Sequence, residues 1–161
     1  MIRKLEDSVV AFETSFVLRG ETATGQLGAR IAMHLVAGDV VALSGDLGAG
    51  KTTLARAILR GLGINEETPS PTFTLLQTYR AKTLAVYHFD LYRLNSASEV
   101  GELGIEDAVE EGAVLIEWPE NGLPQKLLED ALRIQIVPAD ETTRQFRLTG
   151  PERWRFLQDR A

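Results

Sequence analysis

The chain has 161 residues, of which 44% are hydrophobic and 25% charged, a composition typical of a soluble globular protein. The formal net charge of −6 argues against direct, charge-driven binding of nucleic acid, which needs a basic face. Cysteine is absent, which excludes disulfides and thiolate metal sites, and His34 and His88 cannot form a zinc site without carboxylate ligands. No apolar run reaches bilayer length, and residues 1–7 lack a signal-peptide segment, so we expect one cytoplasmic domain over residues 1–161 with no membrane partner.

Periodicity and turn residues divide the chain into alternating strand-like and helix-like segments. In the first half they predict a strand over residues 11–18, a helix opened by residues 20–22, a turn at 36–39, a strand at 40–43, a helix from 51 that ends near Gly61 and Gly63, and a polar loop over 64–72. In the second half they predict strands over 73–79 and 84–91 joined by a turn at 80–82, short helices within 95–110, a buried strand at 113–116, an antiparallel pair at 132–137 and 145–148, and a helical turn over 152–158.

The stretch of residues 45–52, GDLGAGKT, fits the phosphate-binding loop pattern at every fixed position. A strand precedes it and an amphipathic helix follows, and that arrangement turns backbone N–H groups toward a phosphate chain. The predicted binding residues are Gly45, Asp46, Leu47, Gly48, Ala49, Gly50, Lys51, Thr52 and Thr53. Lys51 is expected on the β- and γ-phosphates and Thr52 on Mg²⁺, while the motif alone leaves the nucleotide and the reaction open.

The order of elements around this loop indicates an α/β fold of the three-layer P-loop NTPase kind. The central sheet should be mainly parallel, with ligands at the carboxyl ends of its strands. The turn near residue 81 and the late strand pair predict antiparallel strands at the edges.

Two other predicted strands end in carboxylates, Asp90 and Glu117. In P-loop proteins one acid at the end of a neighbouring strand holds Mg²⁺, directly or through water, and a second can orient the attacking water. The sequence supports both roles without assigning either residue to one of them.

Three further features have a functional and a purely structural interpretation. The segment Ser70–Phe73 either hangs over the γ-phosphate or forms a proline-defined turn. His88 is better interpreted as a hydrogen-bonded structural residue than as a catalyst, and Trp118 either stacks on a base or packs in the core.

Together these motifs resemble the TsaE (YjeE) family of small bacterial P-loop ATPases. The resemblance is carried by residues 45–53, 70–75 (SPTFTL), 88–94 (HFDLYRL), 103–104 (LG) and 116–120 (IEWPE), in matching order over roughly residues 15–120. It implies a protein needed to form threonylcarbamoyladenosine beside the anticodon of tRNAs that read codons beginning with A. It further implies binding and hydrolysis of ATP, which reset a complex of TsaD-type and TsaB-type partners, so that tRNA is met only through the complex.

The resemblance also suggests roles for particular residues. By position, Thr52 and Glu117 are similar to the family's Mg²⁺-site residues, and Asp90 to the acid beside them in a catalytic or metal-positioning role. Lys51 corresponds to the phosphate lysine, and Trp118 flanks the nucleotide. The resemblance further implies that the start of the first helix, near Glu21 and Thr22, approaches the nucleotide from the other side and that the region of Arg144 reaches it as well. ATP or ADP with Mg²⁺ are the implied ligands.

Three alternatives compete with this interpretation. A small-molecule kinase would need an arginine-rich lid, and none stands out between residues 95 and 130. A GTPase would carry an Asn-Lys-x-Asp element, but Asn65, Asn95 and Asn121 are not followed by lysine. A nucleotide-gated scaffold with negligible turnover would not need the intact set of lysine, threonine and two acids.

Overall fold

The computed structural model describes residues 10–159, which contain one sheet of seven strands and five α-helices. The strands are β1 (Phe12–Arg19), β2 (Val40–Ser44), β3 (Leu76–Ala81), β4 (Leu84–Asp90), β5 (Ala113–Glu117), β6 (Leu132–Pro138) and β7 (Thr143–Gly150). The helices are α1 (Gly20–His34), α2 (Lys51–Gly61), α3 (Ala97–Gly101), α4 (Ile105–Glu111) and α5 (Gln125–Glu129), with 3₁₀ turns at Pro119–Asn121 and Glu152–Gln158.

The strand order is β1-β7-β6-β2-β5-β4-β3. Strands β6, β2, β5 and β4 pair in parallel, whereas β7 and β1 at one edge and β3 at the other pair antiparallel. Every residue of β5 is buried, because parallel central strands are covered on both faces. The predicted α/β fold, with a parallel centre and antiparallel edges, is confirmed.

Two apolar cores lie on opposite faces of the sheet and create the three layers. On one face, Leu27 and Ile31 of α1 and Leu54 and Ile58 of α2 pack with alternate residues of the central strands such as Leu115. On the other face the remaining helices cover the intervening residues of the same strands. The side chains of Glu117 and Asp90 point to the α2 side, because Glu117 is two residues from Leu115 on β5 and Asp90 is its register partner on β4.

Helices α1 and α2 approach closely because small residues line their contact. A Cβ added at Gly28 would lie 2.5 Å from the Cβ of Ala57, and one at Gly61 would lie 2.8 Å from the Cβ of Ala32. Glycine is therefore required at these crossings for steric reasons, and the tight contact fixes α2 against the sheet.

Several element predictions were wrong in their bounds. The strand expected from residue 73 begins at Leu76, because residues 71–74 form a turn and Leu75 has a positive φ of 67°. Phe73 is consequently 83% exposed. The turn expected at 80–82 lies at residues 82–83, since β3 continues through Ala81.

The C-terminal part also differs from expectation. The pair predicted as an edge addition is antiparallel, but β6 lies inside the sheet and pairs in parallel with β2. The last helical turn is 3₁₀, and the sequence pattern predicts neither α5 nor the 3₁₀ turn after β5. Within residues 10–159 no helix is long and apolar enough to cross a bilayer, and the expectation for residues 1–7 falls outside the described residues.

Candidate functional site

The glycine loop between β2 and α2 has a backbone that other residues would strain. Gly45, Gly48 and Gly50 have φ values of 150°, 77° and 115°, in the region that favours glycine. A Cβ at Gly45 would also lie 2.5 Å from the carbonyl oxygen of Ile136. Helix α2 starts at Lys51, so the N–H groups of its first turn, which have no intrahelical partner, face the loop. The loop is thus shaped to present donors to an anion.

Lys51 is folded back over this loop. Its Nζ donates to the carbonyl oxygens of Gly45 at 2.6 Å and Asp46 at 2.8 Å, and it lies 4.4 Å from the centre of the Trp118 ring. The residue is only 4% exposed, and burial lowers the pKa of Lys51, while Glu117 and other nearby acids oppose the shift. An ammonium has three N–H donors, so one remains for a phosphate oxygen.

Asp90 and Glu117 are neighbours at the carboxyl ends of two parallel strands. They are register partners in the β4–β5 pairing, and they are 3% and 2% exposed. Thr52 Oγ1 donates to Glu117 Oε1 at 2.8 Å. The structure therefore brings both predicted acids to the start of α2, as their positions at strand ends indicated.

Asp90 is tied to the loop that precedes β3. Thr72 Oγ1 donates to Asp90 Oδ2 at 3.0 Å, and the Tyr92 N–H donates to Asp90 Oδ1 at 2.9 Å. Ser70 Oγ and Thr72 Oγ1 lie 2.8 Å apart and share a hydrogen bond. The Ser70–Phe73 segment thus reaches the site through Thr72, whereas Phe73 itself points away into solvent.

Glu117 has a second partner behind it. His88 Nε2 lies 2.7 Å from Glu117 Oε2, and His88 is 1% exposed. The interpretation of His88 as a hydrogen-bonded buried residue agrees with this contact, although its partner was not foreseen.

Two cavities flank the glycine loop. The first, of about 220 Å³, is lined by the loop, Lys51, Thr52, Thr72, both acids, Tyr92 and Trp118. The second, of about 310 Å³, lies on the other side of Gly48 and Gly50 and is lined by residues of β1, α1 and the β6–β7 turn. The two cavities share Gly48, Gly50 and Thr53, so one elongated ligand that crosses the loop can occupy both.

The second cavity is lined by two of the three further residues that the resemblance places near the nucleotide. Glu21 and Arg144 line it, whereas Thr22 is exposed and lines neither cavity. Arg144 Nε donates to the Ala49 carbonyl at 3.0 Å, which ties β7 to the loop. The cavity residues Thr24, Glu141 and Thr142 are not predicted from the sequence, because no local pattern marks them.

Trp118 sits directly after Glu117 in an unusual conformation. Its φ is 60°, and its N–H donates to the Leu43 carbonyl at 3.1 Å. Its ring is 4.9 Å from the ring of Tyr92 and half-buried. The left-handed backbone aims the ring at the first cavity, where it covers Lys51.

The oxygen donors of the first cavity fit a hard divalent cation. A threonine hydroxyl and two carboxylates are the ligand types Mg²⁺ prefers, and it usually keeps phosphate or water oxygens as well. Among residues 10–159 no group of three or more His, Cys, Asp or Glu side chains could hold a metal by itself. The donor set therefore fits an ion shared between protein and phosphate.

A glycine loop between a buried strand and a helix, with a buried lysine and acids on the adjoining parallel strands, defines a P-loop protein, a class that binds nucleotides. Within that class the chain belongs to the TsaE family. The family model described as "Threonylcarbamoyl adenosine biosynthesis protein TsaE" matches residues 18–146.

Individual relatives agree with this placement. The Rickettsia felis "tRNA threonylcarbamoyladenosine biosynthesis protein TsaE" is 41% identical over 129 residues, which cover 80% of this chain and 75% of that protein. The protein of the same name from Nostoc sp. is 40% identical over 141 residues, covering 84% and 85%. Among solved structures, YdiB of Bacillus subtilis superimposes with a TM-score of 0.73 at 30% identity and 91% coverage of both chains.

Proposed function

We propose that this protein is the ATP-binding and ATP-hydrolysing subunit in the formation of the threonylcarbamoyl group on adenosine beside the anticodon of tRNAs that read codons beginning with A. It acts by resetting a complex of TsaB-type and TsaD-type proteins, in the cytoplasm where tRNA is held, and does not transfer the group itself. Its family membership supports the pathway. The observation that carries the enzymatic part is the convergence of Lys51, Thr52, Asp90 and Glu117 on one cavity.

The phosphate chain of ATP would lie along the glycine loop. Lys51 and the free N–H groups at the start of α2 supply positive charge and donors for the β- and γ-phosphates. The nucleoside would occupy the second cavity, beside Glu21 and Arg144, because that cavity continues from the loop on the side away from the two acids.

Thr52 and Glu117 are the residues we assign to Mg²⁺. Their side chains already touch, with 2.8 Å between Thr52 Oγ1 and Glu117 Oε1, so both oxygens face one point beside the phosphate-binding loop. Mg²⁺ supplies charge neutralisation on the β- and γ-phosphate oxygens when bound there.

Asp90 is the residue we assign to the attacking water. Each of its oxygens accepts one hydrogen bond, from Thr72 or from the Tyr92 N–H, and each keeps a lone pair for a water. These bonds hold the carboxylate against rotation, which orients a water for in-line attack on the γ-phosphate.

The isolated chain should be a slow ATPase. Lys51 is the one cationic residue among the described residues that line the first cavity. Arg144 is committed to the carbonyl oxygens of Ala49, Asp140 and Thr143. P-loop enzymes often receive the charge that stabilises the transferred phosphoryl group from a partner. A kinase is less well supported, since residues 94–130 contain no arginine for a lid.

The test is phosphate release from Mg·ATP by the purified chain, alone and with TsaB-type and TsaD-type proteins. We expect slow release alone and clear stimulation by the partners, with the Lys51→Ala variant as the blank in both conditions. High turnover that partners leave unchanged would contradict partner gating. Bound ATP without release in either condition would favour a scaffold, and transfer to a small acceptor would favour a kinase.

A further inference from the structure

His88 is a buried polar residue that the proposed mechanism does not use. It lies on β4, two residues before Asp90, on the face of the sheet that carries the site. Its Nε2 contacts Glu117 Oε2 at 2.7 Å, and the two side chains are only 1% and 3% exposed. With Thr52 on Oε1, both oxygens of Glu117 have a partner.

The chemistry of the contact assigns the imidazole hydrogen. A carboxylate oxygen accepts, so the N–H of His88 lies on Nε2. Nδ1 is buried and has no hydrogen-bond partner within the described part of the chain. Leaving a lone pair unpaired at such a position costs less than leaving an N–H unpaired. His88 therefore gives its single N–H to Glu117.

The hydrogen bond from His88 opposes the electrostatic attraction between Glu117 and Lys51. The ammonium of Lys51 lies near enough to interact electrostatically with that carboxylate. Glutamate has three side-chain torsions, so a carboxylate without a fixed partner on Oε2 is free to turn toward the lysine. Such a rotation of the carboxylate would move Oε1 away from Thr52 Oγ1 and from the proposed Mg²⁺ position beside it.

We propose that His88 is a positioning residue: its Nε2–H fixes Glu117 Oε2 and thereby holds Oε1 beside Thr52 in the geometry that receives Mg²⁺. The inference rests on the proposed function, in which Glu117 serves the metal. Partners of this kind, which orient a metal ligand from behind, change metal affinity or activity by about 10- to 100-fold when removed.

The test compares the wild type with His88 variants in two buffers. Binding of a non-hydrolysable ATP analogue is measured by calorimetry with Mg²⁺ and with EDTA, and the ratio of the affinities reports the metal. We expect His88→Leu to lower this ratio by about 10- to 100-fold while affinity in EDTA stays within about twofold. His88→Gln, whose amide N–H reaches the position of Nε2, should retain most of the ratio.

A control on the same strand face separates positioning from general destabilisation. Val86→Ala removes a buried side chain two residues earlier and should lower stability while keeping the full ratio. If His88→Leu does not fold, His88→Asn takes its place, because its shorter amide ends near the position of Nδ1 and cannot reach Glu117. A double variant with Glu117→Gln should lose no more of the ratio than Glu117→Gln alone.

The outcomes distinguish the two proposals. The positioning role alone would be overturned if the wild type binds the analogue much more tightly with Mg²⁺ than in EDTA and if His88→Leu and His88→Asn keep that same ratio. Equal affinity of the wild type in both buffers would overturn the metal assignment of Glu117, and the role of His88 with it. Equal losses in His88→Leu and His88→Gln would also contradict the inference, since the donor would then not matter.

Discussion

Thr52 Oγ1 donates a 2.8 Å hydrogen bond to Glu117 Oε1 across 65 residues of sequence. The bond joins the first turn of α2 to the end of β5, two elements that pack only because β2 and β5 are parallel neighbours. It places a hydroxyl and a carboxylate side by side at the phosphate-binding loop. The contributions of Lys51, Glu117 and Asp90 to this site can be tested by separate substitutions.

Replacing Lys51 with Ala should weaken nucleotide binding. Its ammonium lines the first cavity, and a hydrogen bond to a charged group contributes about 1.5–3 kcal/mol. We expect calorimetric affinity for ATP analogues to fall by about 10- to 100-fold or more. Lys82→Ala, in the turn at the opposite end of β4 from Asp90, should bind like the wild type. Normal binding by Lys51→Ala would remove the lysine from the site.

Replacing Glu117 with Ala should impair turnover more than ADP affinity. In the proposed mechanism Glu117 holds the Mg²⁺ that neutralises charge on the phosphate oxygens, so kcat should fall by about 100-fold when this ligand is lost. Glu110→Ala is the control and should keep wild-type turnover, because Glu110 is an exposed acid on α4 that does not line the first cavity. Turnover in Glu117→Ala equal to that of the wild type would exclude Glu117 from the mechanism.

Replacing Asp90 with Asn should separate chemistry from binding. The amide keeps an acceptor for Thr72 but cannot take a proton or orient water as a carboxylate does. We expect kcat to fall by about 100-fold, with affinity for Mg·ADP within about twofold of wild type. A comparable loss of Mg·ADP affinity would instead indicate that Asp90 holds the metal.

Two glycines of α1 should respond in opposite directions to alanine. A Cβ at Gly28 would lie 2.5 Å from Ala57 Cβ, so Gly28→Ala must shift α1 from α2, at a cost of about 1–3 kcal/mol in free energy of unfolding. Gly25 has open space around its Cβ position, so Gly25→Ala should stabilise by about 0.5–1 kcal/mol. Urea unfolding measures both. Stabilisation by Gly28→Ala, as expected for Gly25→Ala, would show that the helix crossing is not close.

Asp39 should make stability depend on pH. Burial raises the pKa of Asp39 above its ordinary 3.8, and the Val36 N–H and the Arg153 guanidinium oppose the shift. The folded state therefore holds the proton more tightly. Its contribution to stability is complete below pH 3.8 and is lost as pH rises through the raised value. The free energy of unfolding of wild type minus Asp39→Asn should fall over that window, measured by urea unfolding between pH 3.5 and 7.

Asp140 provides a control of opposite sign. A hydrogen bond from the Thr142 N–H lowers the pKa of Asp140, which is exposed. Its contribution is present above the ordinary pKa and is lost as pH falls through the lowered value. The free energy of unfolding of wild type minus Asp140→Asn should therefore rise with pH. Parallel curves for the two variants would contradict at least one of the two assignments.

The sequence by itself determined the elements whose signals are local. Residues 45–52 specify a phosphate-binding loop through glycine spacing, and the apolar run at 113–116 specifies a buried strand. The proximity of Asp90 and Glu117 also followed, because parallel strands end at one edge of a sheet. Local signals failed at Phe73–Leu75, where a turn and a positive φ replace a predicted strand.

Only the tertiary structure decided which residues line the second cavity beside the glycine loop and which hydrogen-bond partners Asp90 and Glu117 have. The β6–β7 hairpin lies beside β2, and its position brings Arg144 to the Ala49 carbonyl. Helix α1, which follows β1, brings Glu21 to the second cavity, which Arg144 also lines. The contact of His88 with Glu117 likewise depends on the β4–β5 register. Periodicity records which face of an element is buried, but strand order and register result from packing among distant segments, which no local pattern encodes.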